Sequence, residues 1–160
     1  MVLPFRRSII DTANRYRIIE NDYVHDVLDQ PRALQATLTA LHIPESFPSL
    51  LQRLERGEWR RIVLTGMGSS FWALYPLHMQ LVANGFASIL LETSELLYYF
   101  PKLFDRETLM MVVSQSGESA EIVRLLDENR GRAHLIAVTN TPDSPLARKS
   151  DAVLLTTAGQ

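Results

Sequence analysis

The sequence predicts an α/β fold: a flavodoxin-like three-layer sandwich with five parallel strands in the order 2-1-3-4-5, preceded by an N-terminal helical segment. Short, unbroken apolar runs of strand length recur from residue 61 onwards, as expected for strands that are covered on both faces. Segments with apolar residues at helical spacing separate these runs. That alternation is typical of a parallel sheet with helices on both faces.

The composition is that of an ordinary globular protein. Of the 160 residues, 46% are hydrophobic and 21% are charged, and the formal net charge is −2, so no electrostatic attraction to nucleic acid or to an anionic membrane is expected. The chain has no cysteine, which excludes disulfides and thiolate chemistry. No apolar run approaches the roughly 20 residues of a membrane span. We therefore expect a cytoplasmic protein, and no spacing of side chains predicts a metal ion or a cofactor.

The first third of the chain is predicted to be helical, without a reactive cluster of side chains. We interpret residues 1–21 as an N-terminal arm and residues 22–58 as a helical lead-in to a domain over residues 59–160. In the lead-in, a helix that begins near Asp22 is expected to end before Pro31, because proline suits the first turn of a second helix. A third helix begins at Ser46 or Ser49 and ends near Gly57.

The domain itself alternates strands with helices. The predicted strands are residues 62–65, 87–91, 109–113, 134–138 and 152–155. The predicted helices are residues 71–82, 96–100, 120–129 and 144–149. Pro76 is expected to kink the first of these helices or to shorten it by a turn.

The third strand and the loop that follows it carry the clearest chemical signal. Residues 114–119 contain three serines, a glutamine and a glycine, and a helix begins directly after them. Hydroxyl and backbone N–H donors at a helix N-terminus are typical of an anion site, most often for phosphate. In the alternative interpretation, Ser116 or Ser119 only caps the helix and Gly117 only makes the turn.

A second polar loop follows the first strand. In residues 66–70, Gly66 and Gly68 allow close approach of the backbone, and Ser69 and Ser70 are donors at the start of the next helix. In a doubly wound sheet, ligands bind beyond the carboxyl ends of the strands where the strand order reverses. In the order 2-1-3-4-5 the first and third strands are neighbours. The two loops are therefore predicted to hold one phosphate from both sides.

Other phosphate-binding and catalytic motifs do not match the sequence, because single residues differ from those that the motifs require. A dinucleotide fingerprint needs a glycine where Phe71 stands, a nucleotide P-loop needs a lysine where Ser69 stands, and no G-x-S-x-G nucleophile elbow occurs at the loop serines. His78 and His134 are interpreted as structural residues.

Four segments together resemble the sugar isomerase (SIS) domain family. They are residues 65–71 (TGMGSSF), 94–95 (SE), 113–119 (VSQSGES) and 139–147 (TNTPDSPLA). They are most similar to the first of the two SIS domains in the isomerase half of glucosamine-6-phosphate synthase. The resemblance covers roughly residue 22 to the end.

The resemblance implies that both loops hold the phosphate of an aldose or ketose phosphate. Carried over by position, the phosphate-binding residues are Gly68, Ser69, Ser70, Ser114, Gln115, Ser116 and Ser119. The general base of the family, a glutamate in a later region, has no counterpart here, so no catalytic residue is assigned. We expect the chain to be the amino-terminal half of a longer protein or a truncated piece of one, without turnover on its own.

Three functions remain open from the sequence. The first is half of an aldose–ketose phosphosugar isomerase or aminosugar-phosphate deaminase, acting on a substrate like glucosamine or fructose 6-phosphate. The second is a non-catalytic module that senses a sugar phosphate. The third is an oligomerisation domain without a ligand, which the intact set of donors disfavours. The expected partners are a sugar-phosphate ligand and either a second copy of the chain or a second SIS domain.

Overall fold

A five-stranded parallel sheet in the order β2-β1-β3-β4-β5 lies at the centre of the structure. The structure, a computed structural model, describes residues 22–158. The strands are β1 (Arg61–Gly66), β2 (Ser88–Glu92), β3 (Thr108–Val113), β4 (His134–Thr139) and β5 (Ala152–Leu155). This confirms the predicted fold class and strand order. The first and last residues of each strand lie within one residue of the predicted positions.

Helices cover both faces of the sheet. The α-helices are α1 (Asp22–Ala40), α2 (Phe47–Glu55), α3 (Ser69–Ala73), α4 (Tyr75–Ala83), α5 (Thr93–Tyr99), α6 (Ala120–Asn129) and α7 (Pro145–Arg148), and a single 3₁₀ turn spans Pro101–Leu103. The apolar runs of the strands face two separate cores, because successive side chains of a strand point to opposite faces. Val63 and Met110 pack with α5, α6 and α7 on one face, whereas Leu64 and Leu109 pack with α2 and α4 on the other.

The structure departs from the prediction at Pro31 and agrees with it near Pro76, where a kink or a lost turn was expected. The lead-in does not break at Pro31, because α1 runs through the proline as one helix of 19 residues. A bidentate ion pair between Asp29 and Arg32, with both N–O distances 2.6 Å, lies around this position. In contrast, the helix predicted over residues 71–82 is split at buried Leu74. Pro76 then lies in the first turn of α4, where its missing N–H leaves no intrahelical hydrogen bond unmade.

Helix α1 leaves its apolar side chains uncovered. Leu28, Leu34 and Leu38 are 72%, 65% and 70% exposed. Within the described residues, no side chain of this helix is buried. The predicted N-terminal arm, residues 1–21, lies outside the described residues. Across the part of the chain that the structure describes, every helix is too short or too polar to cross a bilayer.

Candidate functional site

The register of the sheet brings the two serine-bearing loops together. In the β1–β3 ladder Gly66 pairs with Val113, so the loop over residues 67–70 and the loop over residues 114–119 leave neighbouring strands at the same level. Neighbouring strands lie about 4.8 Å apart. Gly66 has no room for a side chain, because a Cβ atom there would lie 3.0 Å from both the Val113 carbonyl oxygen and the Ser70 carbonyl carbon. The first loop therefore folds directly against the end of β3.

A cavity of 270 Å³ opens at this carboxyl edge. Every residue that lines it is uncharged: Ser69, Ser70, Ala73, Val113, Gln115, Val138, Thr139, Asn140 and Thr156. Within the described residues, the hydroxyls of Ser69 and Ser70 make no hydrogen bond. The accessible lining is mostly apolar and has no cationic side chain, so an anion in this cavity would depend on the few hydroxyl and amide groups of its wall.

The serines of the second loop accept hydrogen bonds from nearby backbone groups. Ser114 Oγ accepts from Gly117 N–H at 3.2 Å, Ser116 Oγ accepts from Glu118 N–H at 3.4 Å, and Ser119 Oγ accepts from Ile122 N–H at 3.4 Å. The alternative interpretation is therefore correct in that Ser119 caps a helix. A hydroxyl that accepts a hydrogen bond keeps its own hydrogen for another. In the described part of the chain none of the three donates it.

Gly117 fixes the second loop against the loop that follows β4. Its φ of +66° lies in the left-handed region that favours glycine. A Cβ atom at this position would lie 2.3 Å from Ser144 Oγ and 2.6 Å from Ser144 Cβ. Ser144 is 2% exposed and caps α7 by accepting from Ala147 N–H at 3.2 Å. The Gly117 carbonyl also accepts from Leu146 N–H at 3.1 Å. The second loop and α7 therefore form one packed unit.

The loop after β4 supplies a third wall that the sequence analysis did not assign to the site. The Gln115 carbonyl accepts hydrogen bonds from Thr139 Oγ1 and from Asn140 N–H, each at 3.0 Å. Thr139, Asn140 and Thr156 all line the cavity. A signal for Thr139 and Asn140 is present in the sequence, because β4 is the neighbour of β3 in the predicted order and residues 139–142 form a polar loop at its carboxyl end. Thr156 follows β5, so the strand-end rule for the fourth strand does not point to it.

The seven predicted residues divide into two groups. Ser69, Ser70 and Gln115 line the cavity. Gly68, Ser114, Ser116 and Ser119 lie in the same two loops but not on the cavity wall. Gly68 precedes α3 with a φ of +53°, and Ser114 is buried. These four positions shape the loops in the structure, and their direct contact with a ligand stays a prediction.

A second polar cavity of 330 Å³ lies at the opposite edge, near the amino ends of the strands. Its charged groups are largely paired, for example Arg53 with Glu58 at 2.6 Å. Burial lowers the pKa of His134, which also lies 5.2 Å from the Trp59 ring, and the nearby Asp151 carboxylate opposes part of that effect. His134 therefore has the packed, structural environment that the sequence predicted. Among residues 22–158, no cluster of three His, Asp or Glu side chains is arranged to hold a metal ion.

Comparison with known proteins finds related sequences and related folds. The profile of the SIS domain family matches residues 57–160. A curated relative, the glutamine–fructose-6-phosphate aminotransferase (isomerizing) of Symbiobacterium thermophilum, is 37% identical over an alignment of 150 positions that covers 86% of this chain and 24% of the relative. This chain spans only 22% to 24% of the length of the first such relatives.

Two solved structures share the fold. The C-terminal domain of glucosamine-fructose-6-phosphate aminotransferase from Francisella tularensis has a TM-score of 0.71 at 23% identity, covering 88% of this chain and 40% of that one. The Vibrio vulnificus NanR protein complexed with ManNAc-6P has a TM-score of 0.65 at 22% identity, covering 90% of this chain and 54% of that one.

Proposed function

Because the chain belongs to the SIS domain family, we propose that it is a phosphosugar-binding domain whose ligand enters the 270 Å³ cavity at the carboxyl edge of the sheet. The observation that carries this proposal is the pairing of Gly66 with Val113, which sets two serine-bearing loops side by side. The phosphate would be held by Ser69 and Ser70 from one loop and by residues 114–119 from the other.

The chemistry of the loops supports an anionic group at this position. Five serine hydroxyls lie in the two loops, and none donates a hydrogen bond within the described residues. The N-terminus of α6, a helix of 10 residues, begins directly after the second loop and adds the positive end of its dipole. Donors of this kind, fixed by the backbone, bind phosphate without a cationic side chain.

The names of similar proteins support a substrate class. The curated relatives act on fructose 6-phosphate by name, and a protein with the same fold binds ManNAc-6P. We therefore propose a ligand like fructose 6-phosphate or glucosamine 6-phosphate. In the parent protein the domain would fix the phosphate so that C1 and C2 of the sugar meet a base from another region, in an isomerase or a deaminase. Positioning of this kind contributes several kcal/mol to catalysis. Pairing with a second copy or a second SIS domain in the cytoplasm belongs to the same proposal.

Calorimetry with fructose 6-phosphate and glucosamine 6-phosphate tests the binding proposal. We expect saturable binding to the 160-residue chain, and a loss of about tenfold or more in affinity for a Ser114→Ala/Ser116→Ala double variant, since hydrogen bonds to a charged group contribute about 1.5–3 kcal/mol each.

The matched control is a Ser49→Ala/Ser150→Ala double variant. Both control hydroxyls donate to backbone carbonyls of their own helical segments and lie outside the cavity. The control variant should bind sugar phosphate with the same affinity as the 160-residue chain without substitutions. Equal affinity in the parent and in the Ser114→Ala/Ser116→Ala variant would remove the phosphate site. An isomerisation assay of the same chain should show no turnover, and measurable turnover would contradict the placement of the base in another region.

A further inference from the structure

Asn140 connects two walls of the cavity. Its backbone N–H donates to the Gln115 carbonyl at 3.0 Å, so its main chain is tied to the loop after β3. Its side-chain oxygen Oδ1 accepts from the Ala158 N–H at 2.7 Å and from Thr156 Oγ1 at 3.1 Å, so its side chain is tied to the segment that follows β5. A single residue at the end of β4 therefore sets the distance between two segments that are far apart in the sequence.

The segment that follows β5 has a backbone conformation that needs such support. Thr157 has a φ of +46°, in the left-handed region that β-branched residues rarely adopt. The two residues around it are held, Thr156 by its N–H to the Thr139 carbonyl at 3.0 Å and Ala158 by Asn140. Strained backbone of this kind persists where the surrounding structure over-determines it, and it concentrates at ligand sites.

The position of this segment in the cavity decides which part of a ligand it would meet. Thr156 lines the cavity together with Ser69, Ser70 and Gln115. The serine-bearing loops leave β1 and β3, whereas Thr156 follows β5, which is separated from β3 by β4. A ligand whose phosphate lies between β1 and β3 would extend its carbon chain past Asn140 towards Thr156. The hydroxyl and amide groups of this wall suit the hydroxyls of a sugar.

We propose that Asn140 is a positioning residue that holds residues 156–158 in place, so that Thr156 forms the sugar-facing part of the cavity wall. Asn140 would thereby set affinity for the sugar part of the ligand rather than for its phosphate. This inference rests on the proposed function. It predicts that the Asn140 side chain matters little to a bare phosphate ion, because the Asn140 backbone N–H keeps the Gln115 loop in place whatever the side chain is.

The test compares two probes, glucosamine 6-phosphate and inorganic phosphate, on the full 160-residue chain by calorimetry. In Asn140→Ala, we expect the dissociation constant to rise about tenfold for glucosamine 6-phosphate and less than about threefold for inorganic phosphate. Amide hydrogen exchange should show that Ala158 loses protection in this variant. Asn140→Asp retains the acceptor oxygen and should restore that protection, which a general loss of stability would not allow.

Thr156→Val is a second, gentler variant, because it removes one donor to Asn140 and keeps the shape of the side chain. It should show the same selective loss, and Thr156→Ser, which keeps the hydroxyl, should recover affinity for the sugar phosphate. A parent chain that binds neither probe would overturn both the proposed function and this inference. A parent that binds both probes, with variants that weaken both equally or not at all, would overturn this inference alone and leave the phosphate site standing.

Discussion

Replacing Gly117 by alanine tests whether the second loop and α7 are one packed unit. Two costs add in this variant. The φ of +66° places alanine in the left-handed region, at about 1–2 kcal/mol. The new methyl group also lies 2.3 Å from Ser144 Oγ and 2.6 Å from Ser144 Cβ, inside any permitted contact distance, so the buried serine or the loop must move. Overpacking of this kind costs about 1–3 kcal/mol.

The total is therefore about 2–5 kcal/mol of unfolding free energy. For a domain of this size, that corresponds to a fall of about 10 °C in the midpoint of thermal unfolding, measured by circular dichroism. Affinity for a sugar phosphate should also fall, because a displaced Gly117 moves the serines on either side of it.

Gly85 provides a matched control. Its φ of +83° also lies in the left-handed region, but a Cβ atom there would meet nothing within 4 Å. Gly85→Ala should therefore cost only the backbone strain, about 1–2 kcal/mol. If Gly117→Ala and Gly85→Ala destabilise the chain equally, the contact with Ser144 does not contribute to the cost, and the proposed packing of the second loop against α7 is refuted. In a Ser144→Gly background, where the two nearest obstructing atoms are gone and only Thr139 Oγ1 at 3.1 Å remains close, the cost of Gly117→Ala should fall towards that of Gly85→Ala.

Three further perturbations follow from the structure. Thr65 Oγ1 and Thr93 Oγ1 lie 3.1 Å apart and are fully buried, so Thr65→Val should cost about 1–3 kcal/mol in urea unfolding by leaving Thr93 without its partner, and the double valine variant should recover most of that loss. Arg130 ends α6 with a φ of +47°, so Arg130→Gly should stabilise the chain by about 1 kcal/mol, and an unchanged urea midpoint would contradict this. Burial lowers the pKa of His134 from its ordinary 6.5, so the unfolded chain binds the proton more readily and stability should decrease as the pH falls below about 6.5 towards the lower pKa of the folded state. Urea midpoints between about pH 7 and pH 5 should then change more for the parent chain than for His134→Asn.

Unbroken apolar runs predicted the strands well because a buried parallel strand must be apolar on both faces. The polar loops were also visible in the sequence, since clusters of serine and glycine follow the first and third strands directly. The helix boundaries were less accessible. Pro31 lies inside one continuous helix. In the helix predicted over residues 71–82, the break falls at Leu74, because packing decides the burial of Leu74 and the position of Pro76 in a first turn.

The parts of the site that the sequence did not predict depend on contacts across the fold. Gly117 was interpreted as a turn residue, but its contact with Ser144 joins positions 27 residues apart and no local pattern reports it. The hydrogen bonds of Asn140 to Thr156 and Ala158 join two strand ends in the same way. Local chemistry thus predicted two loops that reach the cavity, whereas the other residues of its wall required the three-dimensional arrangement.

Because Gly66 pairs with Val113, the distance between the two loops is set by the pairing of β1 with β3 and not by the loops themselves. A one-residue insertion within β1 would shift the first loop by about 3.3 Å along the strand and turn its side chains to the other face, while the second loop stayed in place. Loop residues can therefore be exchanged to change what the domain prefers to bind. The lengths of β1 and β3, in contrast, must change together. In a designed or recombined version of this domain, the two strands should be transferred as a pair.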